Sequence, residues 1–262
     1  MHSSVDLKKY KFILTEKEND IFKITINKVR TLNSLCFESL REISDAVRTS
    51  NECKDTKYTV ITANGKYFCA GMDFKQYFEW KTEGIIANQE SMKKDFAEFV
   101  NCFLYHDKPL IGALNGPSIG GGVAMVTYFD YTIASEDTSI VLPFTKFGLT
   151  PTDLISYRLP LILGMLKANE MLLLGKPLTA KEAYDLKLFN EVVKKENLWK
   201  SVIKVVNQFN KAKIEDIIAV KKMIRYNERQ IIQDWSNREI ESFVEGLCKP
   251  EFYESISKYK KS

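Results

Sequence analysis

Two apolar strand-like runs of this chain each pass through a glycine turn directly into a helical pattern. The first is "YTVITANG", continued by "FCAGMDFKQYFEW"; the second is "PLIGALNG", continued by "PSIGGGVAMVTYF". This order constrains the fold more than any bulk property does. A short continuous apolar run bounded by turn residues reads as a strand covered on both faces. A strand that feeds a helix returns to its sheet by a crossover, so an α/β fold with a parallel sheet and helical crossovers is expected.

The rest of the chain extends that pattern. "KFILTEKENDIFKITINK" alternates around "KEND" and predicts a hairpin. "SLCFESLREISDAVRTS", opened by Asn33-Ser34, and "MKKDFAEFVNCFLYH" carry apolar residues at helical spacing. "DYTIASEDTSIVLP" predicts two further short strands. After residue 151 strand signals nearly vanish, and helical segments run to the C-terminus. No linker or low-complexity run divides the chain. Residues 1–200 are expected to form the core and residues 201–262 a C-terminal helical region of the same domain.

A chain of 262 residues, 45% hydrophobic and 27% charged, can bury a large core without staples. Its net charge of +4 is mild, and no basic stripe or nucleic-acid-reading motif accompanies it. The five cysteines are scattered and odd in number, with no CxxC pair, so they read as reduced thiols. Two histidines cannot build a metal site between them, and His106 reads as structural. No apolar run reaches the roughly 18 residues of a membrane span. Neither terminus carries an evident address, and the compartment stays open.

The two glycine turns carry the chemistry. Glycine permits positive φ and close backbone approach. A helix start aims unpaired amide hydrogens outward. Two such turns converging on one oxygen would stabilise negative charge there. Tight helix–strand packing is the other role open to these glycines. Neither turn fits a phosphate loop or GxGxxG, and no GxSxG elbow occurs.

With these turns, "RTLNSL", "ITANGKYFCAGMDF", "KPLIGALNGPSIGGGVAM", "PFTKFGLTP" and "ANEMLLLGKPLTAKEAYDLKLFNEVV" stand in order along nearly the whole chain. This set resembles the crotonase (enoyl-CoA hydratase/isomerase) superfamily. Within it, the chain looks most like peroxisomal-type Δ3,Δ2-enoyl-CoA isomerases and their non-catalytic relatives fused to chromodomains. The resemblance implies a spiral of repeated strand–strand–helix units with a helical trimerisation region, and a homotrimer or a dimer of trimers. It implies an acyl-CoA or enoyl-CoA thioester as substrate, with coenzyme A part of the substrate and no separate cofactor or metal. The thioester oxygen would sit between the amides of Met72 and Gly121. Ala70, Gly71, Met72, Asp73 and Phe74 would meet the CoA adenine through main-chain groups. Arg30 and Leu32 lie where the family contacts CoA, and Lys258 is a candidate for its phosphates.

The chain departs from the family where acids are expected. The two glutamates of a hydratase are replaced by Ala124 and Phe144. The single acid of an isomerase falls at Thr152, a poor base without an activator. Asp153 stands one residue later, and one residue of helix rotates a side chain by about 100°. Its role stays open: a relocated acid/base, a cap for the helix that follows, plain solvation, or another role. Among the other acids, Asp73 reads as a turn or cap residue, Asp130 as a structural strand-start acid, and Glu170 as a helix residue over the core. Three function classes compete: an isomerase-like enzyme, an acyl-CoA-binding pseudoenzyme, and a crotonase with other enolate chemistry.

Overall fold

The computed structural model describes residues 8–259, with only the helical backbone described at 227–231 and 259. The first seven residues and the end of the basic tail lie outside them. The strands are β1 (Ile13–Glu18), β2 (Ile21–Ile26), β3 (Tyr58–Ala63), β4 (Leu110–Leu114), β5 (Ser118–Ile119), β6 (Tyr131–Ser135), β7 (Ser139–Val141), β8 (Leu178–Thr179) and β9 (Glu191–Val193). The helices up to the middle of the chain are α1 (Phe37–Glu52), α2 (Phe74–Ala87), α3 (Gln89–Leu104) and α4 (Gly121–Tyr128). They are followed by α5 (Ile155–Leu163), α6 (Met165–Leu174), α7 (Ala180–Asp185), α8 (Leu198–Phe209), α9 (Ile214–Ile224), α10 (Tyr226–Leu247) and α11 (Pro250–Tyr259).

The main sheet has the order β1-β2-β3-β4-β6-β9. Only the β1–β2 hairpin is antiparallel; every later pairing in that sheet is parallel. The expected α/β architecture is therefore present. Strand alternation sends Ile61, Leu110 and Leu114 to one face, against α1 and α3. It sends Val60, Ile111 and Ala113 to the other, against Leu198, Val202, Val205 and Val206 of α8. Both faces are covered, which is why these strands read as apolar runs without alternation. Residue 200 falls inside α8, whose apolar stripe closes the second face of the sheet.

The expectation that strands nearly end at residue 151 needs correction. β8 pairs with β7, and β9 adds a parallel edge to β6. β9 is three residues long, too short for a periodic signal, and exists because β6 supplies its hydrogen-bonding partner. The first helix also starts later than its "NS" signal. It begins at Phe37, where the Ser39 hydroxyl accepts from the Cys36 amide at 2.9 Å.

A smaller sheet, β5-β7-β8, fixes the second glycine turn. Gly120 N donates to Val141 O at 2.9 Å, so β7 sets where α4 begins. No helix among the described residues is long and apolar enough to cross a membrane.

Candidate active site

The two glycine turns lie side by side. Ile119 N donates to Cys69 O at 2.9 Å, Phe68 N donates to Pro117 O at 3.0 Å, and Cys69 and Ser118 form a parallel bridge. The first turn is held from its other side as well. Leu35 N donates to Gly71 O at 2.7 Å, and Ala70 N donates to Leu32 O at 3.0 Å. Gly71 has φ +79, and a Cβ there would lie 2.9 Å from Ile119 O. At Gly122 a Cβ would meet Cys69 Cβ at 2.7 Å and Ser118 Oγ at 2.8 Å. Glycine is thus required both by conformation and by the contact between turns. Among the described residues, neither the Met72 nor the Gly121 amide donates to a protein acceptor. Gly121 is the first residue of α4, where an N–H has no partner within the helix.

Both turns open onto one cavity of about 340 Å³. Its wall is mainly apolar: Leu35, Phe37, Phe96, Phe144, Leu149 and Phe243 come from four separate segments of the chain. Lys146 is the cation on its rim, and Thr152 and Asp153 bring polar atoms to its lining.

The segment after Pro151 decides the chemistry. Asp153 and Leu154 both adopt φ +61, a pair of left-handed residues. For leucine this region costs on the order of 1–3 kcal/mol, so something must hold the turn. Leu154 is fully buried in the core. The Tyr128 hydroxyl donates to Asp153 O at 3.0 Å. Glu239, reaching across from α10, accepts from Leu154 N at 2.7 Å and from Ser156 N at 2.9 Å. The double turn swings the Asp153 carboxyl toward the start of α4. Its Oδ2 lies 3.6 Å from where a Cβ of Gly121 would stand.

This geometry removes the capping role for Asp153. The residue before α5 is Leu154, without a side-chain cap, and the free amides there are satisfied by Glu239 instead. Asp153 is 4% exposed, its Oδ1 has no hydrogen-bond partner, and burial backed by the Glu239 charge pushes its pKa up to about 8. The acid at the site is therefore an unpaired carboxyl facing an apolar cavity. Thr152 faces the same cavity, with a buried hydroxyl that also lacks a partner.

Other anticipated residues fall in two groups. Ala70, Gly71, Met72, Phe74, Gly121 and Phe144 line the cavity with Thr152 and Asp153. Arg30, Leu32, Asp73 and Lys258 do not. Arg30 and Leu32 are exposed in and after a 3-10 turn. Asp73 caps α2 by accepting from Lys75 N at 3.1 Å and pairs with Lys28. Lys258 is exposed in the last turn of α11. Ala124 is buried within α4, away from the cavity wall. Sequence reasoning missed Leu35, Tyr77, Phe243 and above all Glu239. The segment containing Glu239 reads as an ordinary amphipathic helix, and nothing local marks its carboxylate.

A mostly parallel sheet, paired glycine turns and an acid-bearing apolar cavity define a crotonase fold, and solved structures agree. An enoyl-CoA hydratase/isomerase from Pseudoalteromonas atlantica superposes with a TM-score of 0.86 at 27% identity, covering 96% of this chain and 97% of that one. An enoyl-CoA hydratase from Bacillus halodurans gives 0.88 at 23% identity over 95% and 100%, a likeness of fold alone.

The sequence model of the enoyl-CoA hydratase/isomerase family matches residues 16–261, and the chain belongs to that family. It is 29% identical to the mouse peroxisomal enoyl-CoA delta isomerase 3 over 95% of this chain and 78% of that protein. It is 32% identical to human enoyl-CoA delta isomerase 2 over 84% of this chain and 56% of that protein. A human chromodomain Y-like protein is 29% identical over 96% of this chain and 42% of that protein. The chain thus spans about half the length of some of its relatives.

Proposed function

We propose that this protein is an isomerase of enoyl-CoA thioesters, moving a 3-double bond to the trans-2 position, with Asp153 as its single acid/base. The observation that carries this reading is the inward-turned Asp153 carboxyl at the start of α4. As carboxylate it takes a proton from C2 of the acyl chain, and charge moves onto the thioester oxygen as an enolate. The same group returns the proton to C4 as the double bond moves from C3–C4 to C2–C3. One acid suffices because the proton is conserved. The amides of Met72 and Gly121 would receive the enolate oxygen, and each donor of such a hole contributes about 2.7–4 kcal/mol.

Several observations support the reading. A base with a pKa near 8 is better matched to a weakly acidic C–H than an ordinary carboxylate is. Ala124 and Phe144 leave no second acid to hold water, which disfavours hydration. The apolar cavity suits an acyl chain, and no cofactor is required. Exposed apolar side chains on α6 (Met165, Leu166, Leu173, Leu174) and α9 (Val220, Met223, Ile224) support assembly with further copies, a homotrimer or a dimer of trimers.

The test is turnover of 3-hexenoyl-CoA by the wild type and two variants. The expected result is loss in Asp153→Asn and near-normal rate in Thr152→Val. CoA binding without turnover at any pH would replace this reading with that of an acyl-CoA-binding protein, a reading favoured by the missing acid at Thr152. No binding would remove both.

A further inference from the structure

We propose that Glu239 positions Asp153: from α10 it locks the left-handed pair at 153–154, and it holds a second negative charge behind the carboxyl in the cavity. This inference rests on the reading of Asp153 as the acid/base.

The first part follows from a directional hydrogen-bond chain. The Trp235 indole N–H donates to Ser156 Oγ at 3.0 Å, and an indole nitrogen can only donate. The Ser156 hydroxyl proton is therefore free for Glu239 Oε1, to which it donates. The same oxygen accepts from Ser156 N at 2.9 Å, and Oε2 accepts from Leu154 N at 2.7 Å. Burial raises the pKa of Glu239, and the three groups that reach it among the described residues, all donors, oppose that rise by favouring the carboxylate. Glu239 is 7% exposed, and among the described residues none of its hydrogen-bond partners is a cation. A residue that merely capped α5 would more simply sit on the same loop. Here Asp153 stands next to the cap position and is released from capping because a residue 85 positions away in the chain does that work.

The second part follows from what surrounds Asp153. On α4, Tyr128 donates to the Asp153 carbonyl, and its ring lies 4.8 Å beneath the Arg158 guanidinium of α5. Arg158 in turn donates to Thr127 O at 2.7 Å. On α2, Tyr77 faces the cavity as a neutral phenol, its ionisation opposed by burial and by Asp153. The start of α4 presents Gly121, whose amide end of the helix favours the ionised form of Asp153. α10 supplies Glu239, and burial together with that like charge opposes ionisation. The cavity's other walls from α1 and α3 are apolar, and the 144–147 turn adds Phe144 and Phe147 with the exposed Lys146 at the rim. Glu239 is thus the anion set against Asp153, and the turn it holds is the turn that aims Asp153.

The experiment compares Glu239→Gln and Glu239→Asp with wild type, using 3-hexenoyl-CoA turnover over pH 5–10, calorimetry with CoA, and thermal melts. Glu239→Gln keeps the side-chain length but loses the charge and one acceptor. Its kcat is expected to fall by up to about 10²-fold, the scale of a slight misplacement of a reacting group. Its acid limb is expected to move to lower pH, with CoA affinity unchanged. Glu239→Asp keeps the charge but shortens the reach, so kcat falls while the acid limb stays close to that of wild type. A Glu239→Gln enzyme with unmoved kcat and pH profile overturns the proposal. A lowered kcat with an unmoved acid limb overturns its electrostatic half. If either variant melts too early to assay, proton affinity is read by carboxyl titration in the CoA-bound protein, with the same two outcomes. Retained turnover in Asp153→Asn would sink the parent reading, whereas a dead Asp153→Asn beside an unaffected Glu239→Gln sinks this inference alone.

Discussion

Two groups of buried ionisable side chains in this protein make a useful contrast. One surrounds Asp130 at the start of β6. There Asp130 accepts from Leu110 N at 2.8 Å, from Lys221 at 2.5 Å and from Arg225 at 2.8 Å. Lys221 also donates to Lys108 O at 2.7 Å, and Lys108 donates to the carbonyls of Ser50 and Cys53. His106 sits among these cations as a neutral ring, its pKa held well below the usual value by burial and by Lys221, Lys108 and Arg225. The other group is Asp153 with Thr152 at the cavity, and there Asp153 Oδ1 and Thr152 Oγ1 lack partners. Around Asp130 each carboxylate oxygen has a cation, which ties β4, β6 and α9 together. At Asp153 the carboxyl is buried without one, and its cost has to be offset by the surrounding core. A paired buried charge reads as structure; an unpaired one beside a cavity reads as chemistry.

Exchanging the two acids tests the contrast most directly. Asp153→Asn should reduce turnover by about 10²–10⁴-fold while the fold at neutral pH becomes more stable, because the unpaired carboxyl is gone. Asp130→Asn should do the reverse: stability falls by about 3–5 kcal/mol, because two buried cations lose their counter-charge. Denaturant melts and steady-state kinetics on both variants check this pair, and similar profiles for the two would erase the distinction.

The next effect is on stability against pH. The pKa of Asp153 lies at about 8 in the fold against 3.8 when free, so the folded state holds the proton longer. Stability from this group is complete below the free value and is lost progressively as pH rises to about 8, by about 1.4 kcal/mol per unit. Above that it levels. Wild type should therefore lose ground to Asp153→Asn between these limits in paired melts. His106 acts with the opposite slope. Its depressed pKa makes the fold lose stability as pH drops below the free value of 6.5, and His106→Gln should flatten that acid limb.

A kinetic counterpart follows from the same residue. The ratio kcat/KM should rise with pH and reach its plateau above about 8, where Asp153 is ionised in the free enzyme. The smallest expected effect is that of Thr152→Val. Its hydroxyl has no partner to lose, so stability should hold or rise slightly while the pH profile stays in place. A large loss there would move the acid/base role away from Asp153.

Local patterns made much of this molecule legible. Apolar runs marked β3 and β4, helical spacing marked α1 and α3, and the glycine turns stood out because φ +79 at Gly71 and the close contact at Gly122 admit no side chain. The ordered motifs then carried the family, the α/β architecture and the absence of a hydratase's paired glutamates. Small strands such as β5, β8 and β9 escaped, because two or three residues hold no period and their hydrogen bonds come from distant strands. The direction of Asp153 escaped for a sharper reason. Neighbouring residues favour a capped helix start, with the acid turned to the backbone. Only folding brings Glu239 to those amides, stabilises Leu154 in a conformation leucine avoids, and so frees Asp153 to face the cavity. Residue identity alone shows that Ala124, Phe144 and Thr152 stand where acids are expected and that Asp153 is the neighbouring carboxylate. Where Asp153 points is set in the folded chain, by a hydrogen bond between Leu154 and Glu239 that spans 85 residues.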